Sequence, residues 1–181
     1  MTEQFIKLHD KEFELFLSGE EIGQAIAKLA EQLNKDYLDK EVVIIGVLDG
    51  VFMLLGDLLK KLHFNISVEL IKLKSYADMK SSGQINELIG LTQKLTNKEV
   101  LLVEDIIDTG LTVSHAQELI RAQRPTSLKI LTLLIKKEVF KDRFPIDYYG
   151  IDIPNRFVVG YGMDHNGLGR QLGSIYVVKE D

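Results

Sequence analysis

The chain contains no cysteine. That excludes a disulfide framework and any thiolate-held metal. It has only three prolines, at 125, 145 and 154, all in the second half, where they fit turns. No Pro/Gly-rich linker, internal repeat or low-complexity tract marks a domain boundary. Clustered Lys and Arg are also missing, and the formal net charge is −5, which argues against broad binding to nucleic acid or an anionic membrane. No apolar run approaches the ~20 residues needed to span a bilayer. The N-terminal stretch MTEQFIKLHDKEF lacks the apolar core of a signal peptide, so a cytoplasmic setting is expected. A full phosphate-binding P-loop is absent, because no Gly-Lys-Ser/Thr triplet occurs. GLGRQLG at 167–173 imitates a dinucleotide fingerprint, but its third glycine falls one place late and it lies too near the C-terminus to open a crossover unit.

What remains is the make-up of an ordinary soluble globule. Hydrophobic residues form 45% and charged residues 27% of 181 positions, enough for one sizeable core and one domain spanning 1–181. Ser18 and Glu21 predict a capping box ahead of Ile22, Ile26, Leu29 and Leu33 at helical spacing. EVVIIGVL at 41–48 reads as a buried strand, and the leucines and Val51 of 51–62 as a helix. Further strands are expected at 64–73, 99–104, 127–135, 147–151 and 157–161, with a helix over 112–123. Residues 75–90 are polar and carry Gly and Ser, which predicts a mobile excursion. Apolar strands alternating with helices predict an α/β fold with a largely parallel central sheet flanked by helices. Ligands of such sheets bind beyond the carboxyl ends of the strands. VLDG, VEDIIDTG and LIKK all stand at such ends.

VLLVEDIIDTGLT, residues 100–112, is the richest of the three. In DTGLT, Gly110 permits close backbone approach, the helix start adds its positive dipole end, and Thr109 and Thr112 add hydroxyls. This suits a phosphate monoester. Glu104 and Asp105 cannot serve phosphate, since like charges repel. They suit sugar hydroxyls, or a divalent cation bound to them. Phosphate at one end and a diol at the other describe a ribose 5-phosphate. Taken singly, the acids could merely solvate a strand end and Asp108 could initiate a turn. The combined order of strand, ED, DTG-x-T and helix favours the ligand site.

That stretch resembles the phosphoribosyl-pyrophosphate signature of type I phosphoribosyltransferases, and its surroundings resemble the hypoxanthine-guanine phosphoribosyltransferase family. GVLDG at 46–50 is similar to the family's pyrophosphate loop, and LKSY at 73–76 to the start of its flexible catalytic loop. LLIKK at 133–137 and FVVGYGMD at 157–164 resemble its purine-binding segments. Arg170 falls where the family has an arginine for pyrophosphate. The resemblance implies the family fold, with a small hood from the terminal segments. It also implies transfer of a phosphoribosyl group from phosphoribosyl pyrophosphate to hypoxanthine or guanine with Mg²⁺, giving IMP or GMP and pyrophosphate, in a homodimer or homotetramer.

By that resemblance, Glu104 and Asp105 hold the ribose diol, directly or through metal, and Asp108, Thr109, Gly110, Leu111 and Thr112 hold the 5-phosphate. Asp108 moves the N7 proton. Leu48, Asp49 and Gly50 meet pyrophosphate through backbone amides, in a loop where the family often shows a non-proline cis peptide, and Arg170 assists. Lys136 donates to O6 of the purine, Phe157 stacks on it with Val158 and Met163 alongside, and Asp164 takes a second magnesium. Ser75 and Tyr76 belong to a loop that closes over the site and excludes water. Two positions depart from the pattern. Asp49 stands where lysine or another residue without negative charge is common, so its carboxylate is expected to point away or to meet magnesium. His165 replaces a common tyrosine and is expected to pack near the base. Two other readings compete: a xanthine-preferring transferase, and a regulator on the same fold that senses phosphoribosyl pyrophosphate. The second calls for a DNA-binding appendage or basic face that the sequence lacks.

Overall fold

The computed structural model describes residues 3–75 and 85–179. In chain order the elements are β1 (Phe5–Leu8), β2 (Lys11–Leu17), α1 (Gly19–Asp36), β3 (Glu41–Leu48), α2 (Phe52–Leu59), β4 (Asn65–Ser75), β5 (Ile85–Ile89), β6 (Glu99–Ile107), α3 (Leu111–Ala122), β7 (Ser127–Ile135), α4 (Lys137–Phe140), β8 (Tyr148–Asp152), β9 (Val158–Val159) and β10 (Ile175–Val178). The main sheet has the order β5-β4-β3-β6-β7-β8. Its last five strands are mutually parallel, and β5 pairs antiparallel with β4. A second, antiparallel sheet of order β1-β2-β10-β9 forms the hood. No helix among the described residues is long and apolar enough to cross a membrane.

Side-chain alternation explains why β3 and β6 lie at the centre. Val42 and Ile44 join the core beneath α1 and α2, whereas Val43, Ile45 and Val47 join the core beneath α3. In β6, Leu101 and Val103 face the first core and Val100 and Leu102 the second. A strand buried on both faces reads as the unbroken apolar run seen in the sequence. Each such side chain contributes about 1.5–3 kcal/mol when taken from water. On α1, Ile22, Ile26, Leu29 and Leu33 are buried at helical spacing, and the Ser18–Glu21 capping box forms in both directions.

Several boundaries differ from the sequence expectation. The strand expected over 99–104 continues to Ile107, because Glu104, Ile106 and Ile107 go on pairing with Thr132, Leu134 and Ile135 of β7. Glu104 and Asp105 therefore lie inside the strand rather than after it. Of the expected excursion over 75–90, residues 85–89 instead form β5, held by backbone pairing from Ser75↔Ile85 to Lys72↔Ile89. At the end of this edge strand Ile89 is exposed. The helix expected over 51–62 stops at Leu59, and the strand expected over 157–161 contracts to Val158–Val159. Both β1 and β2 arise in a segment that carried no strand expectation.

The hood closes on a small core of its own, in which Phe13, Val159 and Tyr176 are buried. Phe13 also touches the Phe157 and His165 rings, at 6.2 and 6.0 Å. Phe13→Ala should cost about 3–5 kcal/mol, read as a lower denaturant midpoint. A loss under about 1 kcal/mol would show that the hood is not packed through this ring.

Candidate active site

The carboxyl ends of β3, β6 and β7 lie side by side in the main sheet, so the three segments singled out in the sequence share one crevice. The chain leaves β3 through a cis peptide between Leu48 and Asp49. Gly50 follows, packed directly on β6. A Cβ built on Gly50 would fall 1.7 Å from Asp105 Oδ2, and one on Gly162 would fall 1.9 Å from the Gly50 carbonyl oxygen. Side chains at either glycine would expel the carboxylate or the loop. These two contacts hold together the pyrophosphate-loop segment, the acid pair and the hood-side loop.

Glu104 is 6% and Asp105 9% exposed, far from the open surface where carboxylates normally sit. Their hydrogen bonds come from backbone amides and each other: Asp105 N–H donates to Glu104 Oε1 at 3.3 Å, and Ile106 N–H to Asp105 Oδ1 at 2.9 Å. Burial raises the Glu104 pKa well above the carboxylate range, and the Asp105 charge raises it further. Burial also raises Asp105, opposed by hydrogen bonding to Glu104 and, more weakly, by the Arg170 charge. No group of three or more His, Cys, Asp or Glu able to hold a metal occurs among the described residues. Two hard oxygen donors without further protein ligands match the way magnesium is commonly held, by one or two carboxylates plus substrate oxygens and water.

Gly110 starts α3 with φ 79°, and no side chain caps the helix. The first amides of a helix lack intrahelical acceptors, and these open onto a surface where Thr109, Leu111 and Thr112 are exposed. Phe140 and Phe144 back the loop: a Cβ on Gly110 would meet Phe140 at 2.8 Å and Phe144 at 3.3 Å. The short α4 that carries Phe140 therefore shapes this cradle, a role the sequence did not signal. Beside it, Lys136 Nζ donates to Asp108 Oδ2 at 2.7 Å. The lysine is 6% exposed, while the Asp108 side chain is half open, at 47%. Lys137, its neighbour, turns to Tyr149, donating to the phenol oxygen at 2.8 Å.

The hood supplies the opposite wall. Phe157 is 43% exposed and is backed by the edge-on His165 ring at 5.7 Å. His165 thus packs behind the exposed ring, with His9 and Phe13 on its other sides. Val158 and Met163 are buried. Asp164 is held at both oxygens, by Arg170 at 2.7 Å and by the Gly167 amide at 2.7 Å. Arg170 also donates to the Gly162 carbonyl at 2.8 Å and approaches Asp49 to 3.8 Å. The Asp49 carboxylate meets a cation instead of pointing away: Lys72 Nζ donates to both its oxygens, at 2.7 and 2.8 Å. The sequence reading passed over Lys72, although its position at the end of β4, opposite Leu48 in register, was implicit in the parallel strands. Ser75 ends β4, and Tyr76 lies outside the described residues. Phe157 directly precedes β9 of the hood, and Lys136 directly follows β7 of the main sheet.

This sheet, covered by helices on both faces and carrying a small antiparallel hood, has the architecture of a phosphoribosyltransferase. The family model for the phosphoribosyl transferase domain matches residues 14–166. Hypoxanthine-guanine phosphoribosyltransferase of Dictyostelium discoideum is 38% identical over 173 residues, 93% of this chain and 96% of that protein. The Aquifex aeolicus enzyme of the same name is 36% identical over 96% of this chain and 99% of its own length. Among solved structures, the Staphylococcus aureus hypoxanthine phosphoribosyltransferase superposes with TM-score 0.86 at 36% identity, covering 92% of this chain and 91% of that one. The Trypanosoma cruzi hypoxanthine phosphoribosyltransferase in complex with the product IMP gives TM-score 0.85 at 34% identity, covering 96% and 97%. The chain belongs to the hypoxanthine-guanine phosphoribosyltransferase family.

The raised carboxyls set a stability prediction. The folded chain keeps the protons of Glu104 and Asp105 to higher pH than the unfolded chain does. Metal-free stability therefore falls as pH rises from the ordinary carboxylate range up through the raised values. Glu104→Gln replaces one buried ionisable group with a neutral one. It should raise the neutral-pH Tm of the chelator-treated protein by at least about 2 °C, the shift of roughly 1 kcal/mol in a chain of this size, and should flatten that decline. A midpoint unchanged or lowered, with the decline intact, would count against a strained acid pair.

Proposed function

We infer that this chain is a purine salvage transferase that moves the 5-phosphoribosyl group from phosphoribosyl pyrophosphate to hypoxanthine or guanine, forming IMP or GMP and pyrophosphate. The observation that carries the reading is the Lys136–Asp108 pair, a buried donor and an open acid set beside the phosphate cradle. The Trypanosoma cruzi relative, solved with IMP, supports the same substrate class.

In this reading the amides of 109–112 hold the 5-phosphate and the acid pair holds the ribose diol. Glu104 and Asp105 would also hold magnesium, and Asp164 would be available to a second ion. The metal supplies neutralisation of the charge that builds on the departing pyrophosphate. Purine N9 forms the bond to the anomeric carbon as the carbon–oxygen bond to pyrophosphate breaks, and Asp108 takes the proton leaving N7. Leu48–Gly50 and Arg170 receive the pyrophosphate. Lys136 exchanges its Asp108 partner for the purine O6, while Phe157 stacks on the ring, flanked by Val158 and Met163. Adenine presents an amino group where O6 would be, leaving the buried lysine without an acceptor, which costs about 1–3 kcal/mol or more for a charged group. Ser75 and Tyr76 close over the reacting carbon.

A single functional unit over residues 1–181 belongs to this proposal, because hood and main sheet would serve one substrate. So do the cytoplasmic setting and a homodimeric or homotetrameric assembly. The exposed Phe52, Val68 and Leu70 offer apolar surface for a second copy, and the C-terminal region bears on the oligomeric state of the Trypanosoma cruzi relative.

Hypoxanthine, guanine, xanthine and adenine, each supplied with phosphoribosyl pyrophosphate and Mg²⁺, test the reading directly. Nucleotide should form with hypoxanthine or guanine and not with adenine, and Lys136→Ala should raise the KM for the 6-oxopurine about tenfold or more. No nucleotide from either base would overturn the assignment. An unchanged KM in the variant would remove Lys136 from the base site.

A further inference from the structure

An acid in a loop that must receive pyrophosphate is an electrostatic contradiction. Asp49 lies between Leu48 and Gly50, and two unit charges of like sign about 4 Å apart repel by roughly an order of magnitude or more in binding, depending on how much water screens them. The surroundings resolve the contradiction through one side chain. Lys72 Nζ chelates both carboxylate oxygens, at 2.7 and 2.8 Å. Among the described side chains, the other cation near Asp49 is Arg170, which stands 3.8 Å away and is already committed to Asp164 at 2.7 Å and to the Gly162 carbonyl at 2.8 Å. Lys72 is fixed in place by strand register, since it sits opposite Leu48 on the neighbouring parallel strand and opposite Ile89 of β5. Both partners remain partly open, at 35% and 43%. Half-exposed pairs of this kind add little to folding stability, so the value of this one lies in where it stands.

We propose that Lys72 is a positioning residue for pyrophosphate: it neutralises Asp49 and pins the Leu48–Gly50 loop to the end of β4, so that the loop amides can accept an anion. Lys72 and Asp49 act as one unit, taking the place of an uncharged or cationic loop residue. The proposal rests on the reading above that places pyrophosphate at residues 48–50 and Arg170. It predicts an unusual pattern: removing the lysine harms pyrophosphate binding because it bares the acid, and removing the acid as well repairs it.

The test is a double-mutant cycle with Lys72→Met, Asp49→Asn and the two combined, with Arg170→Ala alongside, in the reverse reaction of IMP with pyrophosphate and Mg²⁺. Lys72→Met should raise the pyrophosphate KM about tenfold, while the IMP KM stays within about threefold of its starting value. The combined variant should recover to within about threefold of the parent pyrophosphate KM. A merely structural lysine would not be rescued by Asp49→Asn. An unchanged pyrophosphate KM in Lys72→Met, or a combined variant as impaired as Lys72→Met, would overturn the proposal. Arg170→Ala separates the two levels. If it weakens pyrophosphate while Lys72→Met does not, only the role of Lys72 fails; if it leaves pyrophosphate untouched, the placement of pyrophosphate itself fails.

Discussion

Two neighbouring carboxylates withdrawn from water impose the constraint around which the rest of this protein is arranged. Burying one charged carboxylate is costly, and burying a second beside it adds repulsion. Glu104 and Asp105 can sit there because β6 continues through them, pairing on β7, and because the surrounding cores hold that strand rigidly on both faces. The loop after β3 has to pass so close to Asp105 that only glycine fits at 50, and the hood loop has to pass so close to Gly50 that glycine recurs at 162. In the proposed reading, a cation and a sugar diol would offset this cost when they bind.

Charge around this pair follows a common plan. Lys136 is matched with Asp108, Lys72 with Asp49, and Arg170 with Asp164. Each of these three cations thus has an acidic partner. At the proposed site, binding of an anionic, oxygen-rich substrate is an exchange of partners rather than the filling of a bare positive pocket. Such an exchange limits non-specific capture of phosphates and makes affinity depend on the shape of the ligand, since only a molecule that reaches several pairs at once regains what it disrupts.

Much of the fold was legible in the sequence because it is local: two-sided burial writes β3, β6 and β7 as plain apolar runs. The ED-x-x-DTG-x-T order likewise puts into nine residues the groups proposed as diol handle, acid and phosphate cradle. What stayed hidden depends on distant pairings. Lys72 and Asp49 are separated by 23 positions and meet only because β3 and β4 are parallel neighbours. The hood joins residues 5–17 to residues 158–178, so β1 and β2 carry no signal until their partner strand is known. Phe140 reaches Gly110 through a four-residue helix too short for periodicity to reveal. The role of Asp49 is hidden for the same reason: a loop residue's meaning lies in the neighbour it meets and not in its own chemistry.

Proton counting tests the central claim, that the fold holds a buried acid pair ready for a cation-bound ribose. Calorimetric titration of phosphoribosyl pyrophosphate with Mg²⁺ into the protein, in two buffers of different ionisation enthalpy between about pH 5 and 8, gives the protons exchanged on binding. The parent protein should release more protons than Glu104→Gln, because a carboxyl kept protonated by burial must ionise to hold the cation. Equal proton release by both proteins across that range would contradict the account.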